Sequence, residues 1–269
     1  MLHGKCRFGK KAPWYGAFFV CALLCGFSGI VHARTEELCA SGHIDEWAQV
    51  GQIIDGDTLR LTDRRSIRFI AINAPELAHD GQAEQPLAVA ATEALRGLLP
   101  EGSRVGLRYG EERHDHHHRV LAHVFDQSGR NISAILLRQG YAFAIAVPPN
   151  LWQSSCYFQA ENQARAEGLG VWSSEYYRPK TAQALHIHAG GFYRVTGRVE
   201  HIGNSRRSVW LDMSKTFAVR IPRSQLNNFS SLSIEGLLHK EITVRGWARF
   251  YNHKLNMTLT HPAMIESRQ

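Results

Sequence analysis

Between Gln49 and Pro75 the chain alternates short apolar runs with tight-turn residues, and that rhythm admits little except a meander of short strands. Gln49-Val50-Gly51-Gln52-Ile53-Ile54 reads as a strand ended by the turn Asp55-Gly56-Asp57. Residues 58–61 resume it, Asp63-Arg64-Arg65 marks a second turn, and 67–72 is a further strand. Pro75 stops that run, because its ring removes a backbone donor and restricts the residue before it. Helical periodicity comes later, over 84–99 (Leu87, Ala91, Ala94, Leu95, Leu98), over 131–139 with Gly140 as its stop, and from about 157 to 167. Residues 105–109 and 120–125 read as strands around the polar tip EERHDHHH.

The segment 178–191 is polar and small, holds Pro179 and ends in Gly190-Gly191, so it reads as a linker. Five short strands follow, over 193–199, 209–212, 218–221, 242–247 and 255–259, with a short helix or turn at about 225–232. That order suits a small closed β-barrel of the oligonucleotide-binding type.

The first 33 residues have the pattern of an export segment. Lys5, Arg7, Lys10 and Lys11 precede an uncharged run over 12–31, and Val31-His32-Ala33 puts small residues at the −3 and −1 places of a cleavage site after Ala33. An uncleaved anchor is the alternative, since 20 uncharged residues just span a bilayer. The first reading makes the protein periplasmic or secreted. The second anchors it by residues 12–31 with its domains on the extracytoplasmic side, and only then does it touch a membrane. The expected organisation is an export segment at 1–33, a first domain at 34–177, the linker at 178–191 and a second domain at 192–266. Beyond residue 33 the cysteines are Cys39 and Cys156. An oxidising compartment permits a disulfide between them, and two unpaired buried thiols are the other possibility.

Three segments carry chemistry: Asp55-Gly56-Asp57-Thr58, then Arg68-Phe69-Ile70-Ala71-Ile72-Asn73-Ala74-Pro75-Glu76, then Arg119-Val120-Leu121-Ala122. With Gln85-Pro86, Leu137-Arg138-Gln139-Gly140 and Leu169-Gly170-Val171-Trp172-Ser173, they form an ordered set over about residues 49–173 that resembles the staphylococcal nuclease (thermonuclease) family. The resemblance implies a mainly β fold with helices, built on a five-stranded barrel of the oligonucleotide-binding type. It also implies a calcium-dependent nuclease, an endonuclease of the thermonuclease type, acting on phosphodiesters of DNA and RNA with no nucleotide cofactor. The basic and aromatic residues of the last third suit single strands. By match of motif, Asp57 and Asn73 would be calcium ligands together with the carbonyl of Ala74, Glu76 would activate the attacking water, and Arg68 and Arg119 would hold the reacting phosphate.

Those residue types suit that work. A hard divalent cation takes oxygen ligands and neutralises phosphoryl charge. Guanidinium groups match phosphate in a planar, bidentate way and help most as charge builds in the transition state. A carboxylate can position a water and take its proton. Two departures stand against full inheritance. Asn73 replaces an aspartate, so the site loses one formal charge and should hold calcium more weakly or use another divalent ion. His116 and His117 stand where the family has a lysine and a tyrosine before the second arginine, and Ala146 and Pro148 stand where it has two tyrosines. Substrate contact then falls to His116, His117 and Tyr141, with Phe143 as nearby aromatic surface. A catalytically inactive nucleic-acid- or protein-binding module is the alternative to a nuclease.

His114, Asp115, His116, His117 and His118 would suit zinc, nickel or copper, but neighbouring strand residues point to opposite faces, so a solvated hairpin tip is the simpler reading. In the last third, basic residues including Arg194, Arg206, Arg207, Arg245, Arg249 and Lys254 interleave with aromatics including Trp210, Trp247 and Tyr251. Arg206, Arg207, Trp247, Arg249, Tyr251 and Lys254 are the expected second-domain contacts to nucleic acid. The net charge of +7 is unevenly spread. Residues 34–185 hold 15 Lys/Arg against 19 Asp/Glu, whereas 186–269 hold 12 against 5, so the basicity lies outside the expected catalytic domain.

Overall fold

The turn residues close the first hairpin within two positions. β1 (Glu46–Asp55) pairs antiparallel with β2 (Thr58–Leu61), and Asp55 faces Thr58 across Gly56 and Asp57. A second turn, with Arg64 in the left-handed region, leads into β3 (Ser66–Phe69). The computed structural model describes residues 38–78, 81–185, 190–251 and 254–266, so the export segment expected at 1–33 lies outside the described residues. After β3 come β4 (Ile72–Asn73), α1 (Ala88–Leu98), β5 (Arg104–His114), β6 (Val120–Asp126), α2 (Ile132–Arg138), β7 (Phe143–Ala144) and α3 (Ser154–Glu167). β1-β2-β3-β6-β5 forms a closed barrel, with β3 and β6 parallel and β1 closing on β5. Val50, Leu59, Ile67, Leu107 and Val124 fill it, under Leu95 of α1 and Leu136 of α2, all fully buried. Each such side chain contributes about 1.5–3 kcal/mol.

Two boundaries differ from the sequence reading for local reasons. α1 begins at Ala88 rather than at residue 84, because Gln85 is engaged with Glu76 and Leu87 sits at φ 71. The strand expected over 67–72 breaks after Phe69: Ala71, at φ 70, turns the chain so that Ile72 and Asn73 pair with Ala144 and Phe143 in a separate ribbon.

A second sheet follows, built from β8 (Lys180–Thr181), β9 (Gly191–Arg198), β10 (His201–Asn204), β11 (Ser208–Asp212), β12 (Phe217–Pro222), β13 (Glu241–Tyr251), β14 (Lys254–Thr258) and β15 (Ile265–Glu266). Its order is β10-β11-β12-β14-β13-β9-β8, with β15 also on β13 and β12 parallel to β14. β9 and β10 are separated only by Val199 and Glu200, so one run of chain supplies strands at both sides of the path. A 3-10 segment, Arg223–Phe229, stands where a helix or turn was expected. Much of the expected linker is packed: Lys180 and Thr181 pair with β9, and Ala182 and Leu185 are buried.

Residues 36–269 form one compact unit, and a buried ionic junction ties the second sheet to the first half. Arg245 on β13 makes a bidentate pair with Glu161 on α3 (Nη1 to Oε1 2.5 Å, Nη2 to Oε2 2.7 Å), and both are fully enclosed. Glu161 Oε1 also accepts the N–H of Ala144 on β7 at 2.7 Å. Glu266 takes Arg194 in the same bidentate way, at 2.7 and 2.6 Å. Arg194 and Arg245, read from the sequence among the basic residues interleaved with aromatics, are therefore internal ion-pair partners.

Cys39 and Cys156 are joined by a disulfide across 117 residues. Beside it Asn131 donates to Cys39 O (3.0 Å) and to Tyr157 Oη (2.8 Å), which leaves the tyrosine hydroxyl to donate to Nδ1 of buried His123 (2.8 Å). Reducing the disulfide should lower stability by roughly 2–5 kcal/mol, since the loop it closes is long. Urea melts with and without reductant measure this, and identical midpoints would refute it. Burial first, and the charge of Arg108 second, push His123 down to about 3, so it is neutral in the fold. The unfolded chain, with histidine near 6.5, binds the extra proton first. Stability should therefore be complete above pH 6.5 and fall toward pH 3 by up to about 1.4 kcal/mol per pH unit from this group. His123→Gln should flatten that slope in denaturation curves taken across the window; an unchanged slope would assign it to other groups.

Candidate active site

Asp57 is the centre of the polar cluster at the end of the barrel, 3 % exposed. Its Oδ1 accepts Thr58 Oγ1 at 3.1 Å, and its Oδ2 accepts the backbone N–H of Ala74 at 2.7 Å and faces Arg68 Nη2 at 3.0 Å. The turn before it has to contain glycine. A Cβ on Gly56 would lie 2.7 Å from Cβ of Ala74 and 2.8 Å from Cβ of Ala91, so a side chain there would force the Asp57 turn away from the β4 loop and α1.

Arg68 alternates out of the face of Ile67 and Phe69, yet it is buried. Its Nη1 donates to Phe69 O at 2.6 Å, and its Nη2 lies 3.5 Å from Asn73 Oδ1. Arg119 approaches from the other side, with Nη1 3.5 Å from Thr58 Oγ1. One polar path thus links Arg119, Thr58, Asp57, Arg68 and Asn73, residues up to 62 positions apart. Glu76 follows Pro75 on the same loop and is half-buried. Its backbone is clamped by Gln85, whose Oε1 accepts Glu76 N–H (3.2 Å) and whose N–H donates to Glu76 O (2.9 Å).

Roles that the sequence reading did not assign emerge beside these. Gln85 holds the loop of the expected base. Asp55 accepts Asp57 N–H at 2.9 Å. Burial, then the charges of Asp57 and Glu76, push its carboxyl up to about 7 against the pull of that hydrogen bond and of Arg68. Asp115 braces Arg119: Oδ2 takes Arg119 Nε at 2.7 Å, while Oδ1 takes the N–H groups of His117 and Arg119, both at 2.9 Å. Partial burial opposes it, but the Arg119 contacts hold the Asp115 carboxyl below the usual range. The signal was present as D-x-x-x-R across a hairpin turn. Asp126 and Arg130 repeat the motif with the same contacts, at 2.9 and 2.6 Å.

The remaining sequence candidates are placed differently. His116 and His117 are exposed at the tip between β5 and β6, their rings 3.9 Å apart. Among the described residues no group of three or more His, Cys, Asp or Glu side chains is placed to hold a metal, so the histidine run does not converge. Tyr141 packs half-buried against the barrel core. Of the expected ligands, Asp57 Oδ2 and Asn73 Oδ1 both face Arg68 Nη2, and Asp55 lies against the Asp57 backbone. Carboxylate and amide oxygens of this kind suit a hard cation such as calcium.

If Asp115 orients Arg119, Asp115→Asn should cost roughly 10–100-fold in hydrolysis, because a charged hydrogen bond contributes about 1.5–3 kcal/mol. Asp126→Asn breaks the same motif at the next turn, away from Arg119, and should leave the rate unchanged. Steady-state rates on the two folded variants test this, and equal rates would leave Asp115 a turn residue only.

The family model described as Staphylococcal nuclease homologue matches residues 66–174, a segment that holds Arg68, Asn73, Glu76 and Arg119 and ends before β8. The endonuclease YhcR of Bacillus subtilis is 29 % identical over 135 residues, covering 46 % of this chain and 11 % of that protein. The SPbeta prophage-derived endonuclease YokF of the same organism is 28 % identical over 129 residues, covering 46 % and 43 %. The thermonuclease of Staphylococcus intermedius is 31 % identical over 127 residues, covering 46 % of this chain and 74 % of that protein. The chain thus spans well under half of the first endonuclease and less than half of the second, but most of the thermonuclease. With the closed five-stranded barrel and the matched segment in hand, the chain belongs to the staphylococcal nuclease homologue family.

Proposed function

We propose that this protein is an exported, divalent-cation-dependent nuclease that hydrolyses phosphodiester bonds of DNA or RNA. The observation that carries the reading is the single polar path joining Arg119, Thr58, Asp57, Arg68 and Asn73, buried except at Arg119, with the Glu76 loop clamped beside it. Names of relatives add support, since an endonuclease and a thermonuclease share this segment. A disulfide in the fold accords with an oxidising compartment, and so with export.

Asp57, Asn73 and the carbonyl of Ala74 would hold calcium, which would neutralise phosphoryl charge and lower the cost of forming hydroxide. Arg68 and Arg119 orient the phosphate and take up the charge that grows on its equatorial oxygens. Each is held in place before substrate arrives, Arg68 by Phe69 O and Asp57, and Arg119 by Asp115. Glu76 takes the proton of the attacking water as the new P–O bond forms and the bond to the leaving oxygen breaks.

A second reading, a binding module without hydrolysis, is favoured by one observation: Asn73 brings an uncharged amide where the family has a carboxylate. Hydrolysis of single- and double-stranded DNA and RNA with calcium, with other divalent ions and with chelator separates the two. Metal-dependent cleavage should fall about 10²–10⁴-fold in Glu76→Gln and about 10²–10³-fold in Arg68→Ala. Absence of cleavage with every ion would leave the binding module. Asn73→Asp should tighten calcium binding in calorimetry, and an unchanged isotherm would remove Asn73 from the ligand set.

A further inference from the structure

Strand alternation gives the second sheet an outer face unlike the rest of the molecule. Val209 and Leu211 on β11, Val219 on β12 and Met257 on β14 point into the core, so Trp210, Ala218 and Asn256 point away from it. On that face lies an open cleft of about 310 Å³ whose lining includes Trp210 and Tyr251. It is as large as the smaller ligand clefts, which run to roughly 300–1,000 Å³.

Trp210 is half-buried and lines the cleft. Its partner on β10 is Gly203, which has no side chain, and its partner on β12 is Arg220, with the buried Ala218 two residues before it on the same face. Tyr251, 63 % exposed, is carried on a braced backbone: Asn256 Nδ2 donates to Tyr251 O at 2.8 Å and to Lys254 O at 3.2 Å. The carboxylate in the cleft, Asp212, is neutralised by Lys254 at 3.0 Å. Arg206 and Arg207 are exposed on the turn between β10 and β11, and Arg249 is exposed on β13. An exposed tyrosine and a half-buried tryptophan in one cleft, with Arg220 beside the tryptophan and exposed arginines on the neighbouring strands and turn, suit a flexible polyanion that carries planar rings. A duplex keeps its base faces stacked internally, and an acidic peptide offers charge without a ring at every repeat.

We infer that this face binds single-stranded nucleic acid, with unpaired bases stacking on Trp210 and Tyr251 and backbone phosphates meeting Arg206, Arg207 and Arg249. The inference rests on the proposed function only for the kind of polymer, and it gives the chain a second hold on its substrate. Trp247, exposed on β13, packs edge-on against Phe192, and Lys254 pairs with Asp212.

The test is fluorescence anisotropy of labelled oligo-dT and of a labelled duplex, with the full chain in chelator so that nothing is cleaved. Trp210→Ala should weaken oligo-dT binding about 5- to 100-fold and leave the duplex unaffected, because stacking contributes per unpaired base. Trp210→Phe should retain most of the affinity, which separates an effect on stacking from an effect on folding. Replacing Arg206 and Arg207 by alanine should reduce the salt slope by about 0.7 for each phosphate no longer neutralised. Equal affinity in Trp210→Ala, an equal loss for duplex and single strand, or competition by polyglutamate as strong as by oligo-dT would overturn the inference. Hydrolysis of a short thymidine phosphodiester is measured in parallel and should be unchanged in Trp210→Ala. If wild type hydrolyses nothing while Trp210-dependent binding persists, the nuclease reading fails alone. If hydrolysis persists and Trp210 is irrelevant, this inference fails alone.

Discussion

The buried carboxylate of Asp57 is the interaction on which the end of the barrel depends. Its two oxygens hold the neighbouring Thr58 within the β1–β2 turn and tie that turn to two other segments, β3 through Arg68 and the β4 loop through the N–H of Ala74. A charge withdrawn from water in this way is tolerable only with its partners in place, and removing one member of such a pair costs about 3–5 kcal/mol. Arg68 is bound by the same logic, because its guanidinium is enclosed between Asp57 and Phe69 O. On the proposed function, the groups that would handle phosphate are thus the groups that hold this end of the barrel shut. Substitutions there will mix stability with activity, whereas Glu76, half-buried on a loop clamped through its backbone, offers a cleaner view of chemistry.

The β4 loop is also held from behind. Ile72 and Asn73 pair with β7, and the N–H of Ala144 on β7 is bound by Glu161, which is locked to Arg245 of the second sheet. The place of Asn73 therefore depends on residues more than 80 positions further along the chain. A buried ion pair of this kind is weak evidence for stability, since desolvation offsets much of its attraction. What it supplies is register: only one seating of β13 against α3 satisfies both charges and the amide of Ala144.

Legibility in the sequence followed the range of the physics. Turns at Asp55-Gly56-Asp57 and Asp63-Arg64-Arg65, and the strands between them, were readable because turn chemistry and the two-residue period are local. Asp57, Arg68, Asn73 and Arg119 were readable as a set through the family resemblance, and the fold brings them onto one polar path. The late start of α1 was hidden because its cause is a contact, Gln85 to Glu76, that no propensity encodes. Arg194 and Arg245 looked like members of a basic surface for the same reason: Glu266 and Glu161, which draw them inside, lie 72 and 84 positions away. Asp115 was visible but was grouped with its histidine neighbours rather than with the arginine four residues on.

Burial of those two arginines changes what the charge of the chain means. The excess of acid over base in residues 34–185 and the reverse excess in 186–269 concern different surfaces. Withdrawing Arg194 and Arg245 takes two cations from the second sheet, but Glu266 is withdrawn with them, so the outer face stays basic. Around Asp57, burial and then the neighbouring carboxylates raise the Asp55 carboxyl, while Arg68 and Arg119 bring positive charge to the same cluster. On the proposals above, a nucleic acid would meet a basic face on the second sheet and, at the barrel end, carboxylates set beside Arg68 and Arg119. The basicity of the chain would then serve capture, while the chemistry relies on charges paired in place.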